Sequence, residues 1–310
     1  MLDPQAQALL KLMIERGIPP THTLSPQEAR RFYLERRFVT QPTPRAVAEV
    51  IDLSAPGAIG PIPLRLYRPA GVPRPSPTLV YYHGGGWTIG DLDTHDTLCR
   101  ELADEGRCAV VAVDYRMAPE HRFPAAVDDA LAATRWLQAQ AETLGLDAQR
   151  FAVGGDSAGG NLAAVVALAW RDAGEPIALK LQLLIYPGTD MRAVAPSHSH
   201  NGQGYMLTSE TVAYFRGHYI DPVDYSDWRA SPLLHGDLSR LPPALVITAG
   251  FDPLRDEGLQ YADALSAAGS PAQYVCFERQ IHGFITMGRV LAEANTAVGL
   301  CALALRRALV

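Results

Sequence analysis

Gly155-Asp156-Ser157-Ala158-Gly159 sets a serine between two glycines, directly after the apolar run Phe151-Ala152-Val153-Gly154 and directly before a helical stretch from Ala158. A serine in so tight a strand–turn–helix junction is held with Oγ exposed, and the following helix aims its first amides at any oxyanion formed there. That is the chemistry of nucleophilic acyl transfer. His83-Gly84-Gly85-Gly86-Trp87 follows another apolar run, Leu79 to Tyr82. Successive glycines leave backbone N–H groups unshielded, and such donors stabilise a tetrahedral intermediate. A phosphate loop is the rival reading, and no G-K-[ST] follows to support it. The Ala158 N–H is a further oxyanion donor; which of Gly84, Gly85 and Gly86 join it is open at this stage.

A serine hydroxyl needs a base, and the base needs an orienting carboxylate. His282 comes shortly after the strand-like run Ala272 to Phe277, and Asp252 directly after Ala244 to Ala249. Both then lie at the carboxyl end of a sheet, beside Ser157. Asp256 and Glu257, one helical turn on, compete for the role of the acid. His95 and His121 compete for the base, although neither follows a late strand. His83 reads as a residue that orients its loop.

These residues need a scaffold, and the pattern supplies one. Ile62, Leu64 and Leu66 alternate with other residues as a half-buried strand does. Thr78 to Tyr82, Cys108 to Asp114, Arg150 to Gly154, Leu179 to Tyr186, Ala244 to Ala249 and Ala272 to Phe277 are strand candidates, several of them continuous apolar runs. Helical stretches fall between them at 125–140, 158–172 and 256–268, and a last one begins near Arg289. Strand–helix alternation predicts a mostly parallel sheet with helices on both faces.

Two regions stand outside that alternation. At the N-terminus, Leu2, Ala6, Leu9, Leu10, Met13 and Ile14 share one helical face behind an Asp3-Pro4 start, and Ser25-Pro26-Gln27-Glu28 opens a second helix with a capping box. The first helix either covers a pocket or packs on the core. Asp190 to Leu238 is far too long for an ordinary connection and reads as an insertion with a helix near Ser209 to Tyr219.

The 310 residues carry 48% hydrophobic and 19% charged side chains and a net charge of −6, the balance of a globular chain without a footprint for nucleic acid or anionic lipid. Cys99, Cys108, Cys276 and Cys301 have neither metal-ligand nor redox spacing and read as buried small hydrophobes. No metal is expected. The longest apolar run, Leu162 to Trp170, is half a membrane span. The first residues lack the basic start of a signal peptide, so a cytoplasmic location is expected.

Taken together, these blocks resemble the hormone-sensitive-lipase family of bacterial esterases and lipases, within the α/β-hydrolases. The resemblance rests on the histidine–glycine loop, Gly155 to Leu162, Asp252 to Glu257, His282-Gly283-Phe284, Asp114 to Glu120 and Tyr186-Pro187. It spans roughly residues 45 to 310. It implies an α/β-hydrolase fold: an eight-stranded, mostly parallel sheet with its first strands antiparallel, helices on both faces, and a helical cap. Residues 1–45 would form the N-terminal part of that cap, 46–310 the catalytic domain, and 190–238 the cap insertion. It further implies hydrolysis of short- to medium-chain acyl esters by Ser157, His282 and Asp252, no cofactor, a small-molecule ester as partner, and homodimers in many members. Trp87, Tyr186, Tyr205, Met206 and Phe284 are candidate pocket walls, with core packing as the other reading of each. A binding protein with a disabled triad, or an amidase or acyltransferase, would share the fold.

Overall fold

A computed structural model describes residues 1–309. The chain opens with α1 (Pro4–Glu15) and α2 (Pro26–Thr40), then runs through β1 (Glu49–Pro56), β2 (Pro61–Arg68) and β3 (Ser76–Tyr82). There follow α3 (Asp96–Gly106), β4 (Ala109–Val113), α4 (Ala125–Ala139), β5 (Leu146–Asp156), α5 (Ala158–Asp172) and β6 (Gln182–Ile185). After α6 (Ser197–His200) and α7 (Ser209–Tyr219), the chain returns to β7 (Ala244–Phe251), α8 (Arg255–Ala267), β8 (Ala272–Ile281) and α9 (Ala292–Leu309).

The eight strands form one sheet in the order β1-β2-β4-β3-β5-β6-β7-β8. β1 pairs antiparallel with β2 and β2 with β4, and every later pairing is parallel. This is the eight-stranded sheet, antiparallel at its first strands, that the resemblance implies. Parallel strands need crossovers, and helices supply them on both faces. Alternation along a strand serves the two faces separately: Leu79 and Tyr81 enter the core under α3 and α9, whereas Val80 and Tyr82 enter the core under α4, α5 and α8. That double burial is why β3 and β4 read as unbroken apolar runs, since no position on them faces water.

Three details differ from the sequence reading. The sequence pattern does not mark β1 as a separate strand, because as an edge strand it leaves most of its residues exposed and its apolar pattern is weak. β8 continues four residues beyond Phe277, so His282 follows its last residue directly. Cys276 is half-buried, unlike Cys99, Cys108 and Cys301, because it sits on the outermost strand.

The N-terminal helices part company. Asp3 caps α1 through the amides of Gln5 and Ala6. Its Ala6 and Leu9 then join the α3/α9 core, and Gln5 accepts a hydrogen bond from the Ala292 amide at the start of α9. Ile14 faces solvent, at 81% exposure. α1 is thus packed on the α3/α9 side of the sheet. α2, opened by the Ser25/Glu28 capping box, is docked elsewhere. Arg30 donates Nε to Thr88 O and Nη2 to Ala118 O, and grips Glu120 with both Nη atoms at 2.8 and 2.6 Å. This clamp fixes α2 across the glycine loop. It holds the Glu120 carboxyl near pKa 2, well below its usual value, because the guanidinium stabilises the ionised form.

Candidate active site

Ser157 occupies a left-handed position, φ 54° and ψ −117°, between the end of β5 and the first turn of α5. The strain is held by close packing. A Cβ at Gly159 would overlap the Tyr82 carbonyl, so α5 can cross β3 at this distance only with glycine there. Ser157 N–H donates to Ile185 O at 2.8 Å, which ties the turn to the end of β6.

His282 Nε2 lies 2.9 Å from Ser157 Oγ, and His282 Nδ1 lies 2.7 Å from Asp252 Oδ2. Asp252 is fully buried, and its Oδ1 accepts from Leu254 N–H at 2.8 Å. Asn201 Nδ2 donates to the carbonyls of Gly250 and Asp252, both at 3.1 Å, and so steadies the turn that carries the acid. The rivals are occupied elsewhere. Asp256 accepts from Ser197 N–H and Arg255, and Glu257 pairs with His198. His95 serves Asp156, 3.2 Å away.

The glycine loop is ordered from beneath. His83 stacks on Tyr115 at 4.4 Å between ring centroids and contacts Gly84 O through Nδ1 at 2.9 Å. Burial pushes its pKa down to about 4, so it remains neutral. Gly84 N–H donates to Asp156 Oδ1 at 2.9 Å. That bond corrects the expectation for Gly84: its amide is already committed, so it is not free to meet a substrate oxygen. Gly85, Gly86 and Ala158 line the pocket beside Ser157, and their amides donate to no acceptor among the described residues. Among the described residues, no group of three or more His, Cys, Asp or Glu is arranged to hold a metal ion.

The pocket above Ser157 has a volume of about 130 Å³. Trp87 and Met206 line it, as the sequence suggested. Tyr186, Tyr205 and Phe284 do not. Tyr186 is buried against the His282 ring at 4.6 Å, Phe284 lies behind it at 5.9 Å, and Tyr205 packs on Phe251 at 5.0 Å. Their apolar area is consumed by the core and by supporting the histidine. Much of the remaining wall comes from residues no motif flagged, on the two segments that the resemblance assigns to the cap. Tyr33 and Arg36 descend from α2, and Val212 and Phe215 from α7. Periodicity could have found the α7 residues, but which face they present depended on a partner surface that sequence does not show. Phe215 sits where a side chain at Gly86 would go, so the 190–238 segment presses directly on the glycine loop. Trp87 continues that contact by stacking on Tyr219 at 4.4 Å.

The chain is similar to known proteins over most of its length. The family model described as alpha/beta hydrolase fold matches residues 79–286. The carboxylic ester hydrolase LipN of Mycobacterium tuberculosis is 45% identical over 92% of this chain and 77% of its own length. The ethyl acetate hydrolase of Pseudomonas putida is 42% identical over 95% of each chain. Among solved structures, ester-hydrolase EH1AB1 from the metagenome of Lake Arreo, in complex with a bipyridine phosphonate derivative, superposes with a TM-score of 0.95 at 44% identity, covering 99% of both chains. The carboxylesterase EstE1 from a metagenomic library gives 0.89 at 43% identity, covering 93% of this chain and 99% of its own.

Proposed function

The chain belongs to the α/β-hydrolase family, on its hormone-sensitive-lipase-like branch, and is a carboxylic-ester hydrolase; from that premise we propose that it cleaves short- to medium-chain acyl esters through an acyl-enzyme on Ser157. The observation that carries the mechanism is the unbroken chain Ser157 Oγ–His282–Asp252, with contacts of 2.9 and 2.7 Å.

In this reading Ser157 Oγ attacks the ester carbonyl while His282 Nε2 takes its proton. Asp252 accepts from His282 Nδ1, fixes the tautomer and stabilises the imidazolium. The amides of Gly85, Gly86 and Ala158 receive the oxyanion, and preorganised donors of this kind contribute about 3–4 kcal/mol each in related chemistry. His282 then protonates the leaving alcohol. Water repeats the attack on the acyl-enzyme with His282 again as base, restoring the serine. The residues 190–238, with α2, act as the cap over this chemistry. The preference for short- to medium-chain acyl groups follows the family resemblance. Pairing with a second copy goes with the same reading, on the family resemblance, and cytoplasmic residence is proposed with it.

Hydrolysis of p-nitrophenyl esters from acetate to palmitate, by wild type and Ser157→Ala in parallel, tests it. Activity peaking at short or medium chains and lost in the variant is expected. Folded wild type that turns over matched amides far faster than esters would sink the esterase reading.

A further inference from the structure

The pocket wall carries two guanidinium groups that no carboxylate answers. Arg36, on α2, lines the pocket with its Cζ 4.2 Å above the Tyr33 ring centroid, and no Asp or Glu lies within ion-pair distance among the described residues. Arg216, on α7, lines it as well. Its Nη1 donates to Met191 O at 2.8 Å, its Cζ stands 5.2 Å over the Tyr225 ring, and it too has no carboxylate partner among the described residues. Stacking holds a guanidinium plane in place; Arg36, whose side chain donates to no acceptor among the described residues, keeps its N–H edge free to receive an anion in a forked geometry, whereas Arg216, with Nη1 on Met191 O and Nε buried, brings chiefly its charge.

The acids in the same pocket are all committed. Asp190 is gripped by Arg192 at 2.7 Å. Glu257 takes the amides of Thr189 and Asp190 and the imidazole of His198. Asp156 lies beneath the glycine loop, bonded to Tyr81 and Gly84. Elsewhere on the chain, most arginines have a carboxylate within 4.0 Å, as Arg30, Arg65, Arg116 and Arg229 do. Burial drives the Tyr186 phenol far above its ordinary pKa, and Arg36 is among the charges that oppose this shift, while the Tyr186 ring packs on His282. A pocket of low dielectric with unanswered positive charge attracts a substrate that brings the opposite sign.

We propose that Arg36 and Arg216 form a carboxylate subsite, so that the enzyme prefers esters carrying a free carboxylate, such as half-esters of dicarboxylic acids or acylated hydroxy acids. The inference rests on the ester-hydrolase reading above and adds a substrate class to it. Both arginines act as specificity residues that bind the remote anion; the bond cleavage remains with Ser157 and His282.

Two isosteric pairs test it: p-nitrophenyl isocaproate against mono-p-nitrophenyl succinate for an anion on the acyl side, and 3-methyl-2-butyl acetate against O-acetyl-lactate for one on the alcohol side. The quantity read is the ratio of kcat/KM, anionic over neutral, in wild type, Arg36→Gln, Arg36→Lys and Arg216→Gln. For at least one pair the wild-type ratio is expected to exceed one and to fall as salt rises from about 0.05 to about 0.5 M. Arg36→Gln should lower it by about tenfold, the usual scale for a charged hydrogen bond, and Arg36→Lys should restore part of it. A wild-type ratio below one for both pairs, or one that salt and both Gln variants leave unchanged, overturns the subsite. If a Gln variant does not fold, the salt dependence of the wild-type ratio decides alone. Failure of folded wild type on every ester would instead overturn the ester-hydrolase reading.

Discussion

Asp156 and Gly84 are joined by a hydrogen bond of 2.9 Å that ties the residue before the nucleophile to the loop that carries the oxyanion donors. The Asp156 carboxylate also accepts from Tyr81 OH at 2.8 Å and faces His95. Burial by itself would raise its pKa, yet His95, the Tyr81 hydroxyl and the Gly84 amide outweigh that and hold it below the usual carboxylate range. The ionised group thereby sets the distance between Ser157 and the Gly85–Gly86 amides.

Replacing Asp156 by Asn should therefore misplace the oxyanion donors without touching the triad. The expected result is a fall in kcat of about 10- to 100-fold with KM changed little, since the lost interactions are those made in the transition state. Tyr81→Phe removes one of the supporting bonds and should cost less. Steady-state kinetics on a single ester decides this, and a rise in KM at constant kcat would contradict it.

The triad makes a graded prediction. Ser157→Ala should abolish turnover. Asp252→Asn keeps the shape but favours the wrong imidazole tautomer, so kcat should fall by about 10⁴. Thermal unfolding of both variants should stay near wild type, which separates loss of chemistry from loss of fold.

Gly86 has φ 57°, and a Cβ there would collide with the Phe215 ring. Gly86→Ala should lower kcat through the strained loop and the displaced ring. Phe215→Ala removes the collision but not the strain. The double variant is then expected to recover part of the activity of Gly86→Ala, a coupling read by a double-mutant cycle. Strict additivity would show that the 190–238 segment does not press on the glycine loop.

Glu101, on α3, is buried, which lifts its carboxyl pKa to about 7 despite the nearby charge of Arg45. The folded state thus holds this proton more tightly than the unfolded chain, whose value lies near 4.5. Below pH 4.5 the residue imposes no penalty; as pH rises from 4.5 through 7 the folded state loses stability relative to the unfolded one. Glu101→Gln mimics the protonated form. It should raise the melting temperature at pH 8 and leave it nearly unchanged at pH 4.5. Equal shifts at both pH values would refute the ionisation account.

The N-terminal segment shows where pattern reading stops. The amphipathic face of α1 was legible, but a helix that covers a pocket and one that covers a sheet need the same stripe. Ala6 and Leu9 went to the α9 side of the sheet, and the neighbouring α2 took the pocket. That choice depended on Arg30 finding Glu120, ninety residues on in the chain, a pairing to which local sequence is blind.

The sequence by itself indicated most of the strands and their helices, and offered Ser157, Asp252 and His282, which the fold brings within hydrogen-bond reach of one another. Each is a local fact: a buried strand must be apolar on both faces, a strained turn must be flanked by glycines, and a residue directly after a parallel strand must lie at the carboxyl end of the sheet. Only the tertiary structure decided that Gly84 spends its amide on Asp156, that Tyr186, Tyr205 and Phe284 stand behind the pocket wall, and that Arg36 and Arg216 face into it unpaired. These are questions of which partner reaches a group first. They are settled by hydrogen bonds and packing between segments far apart in the chain, whose geometry no local pattern encodes.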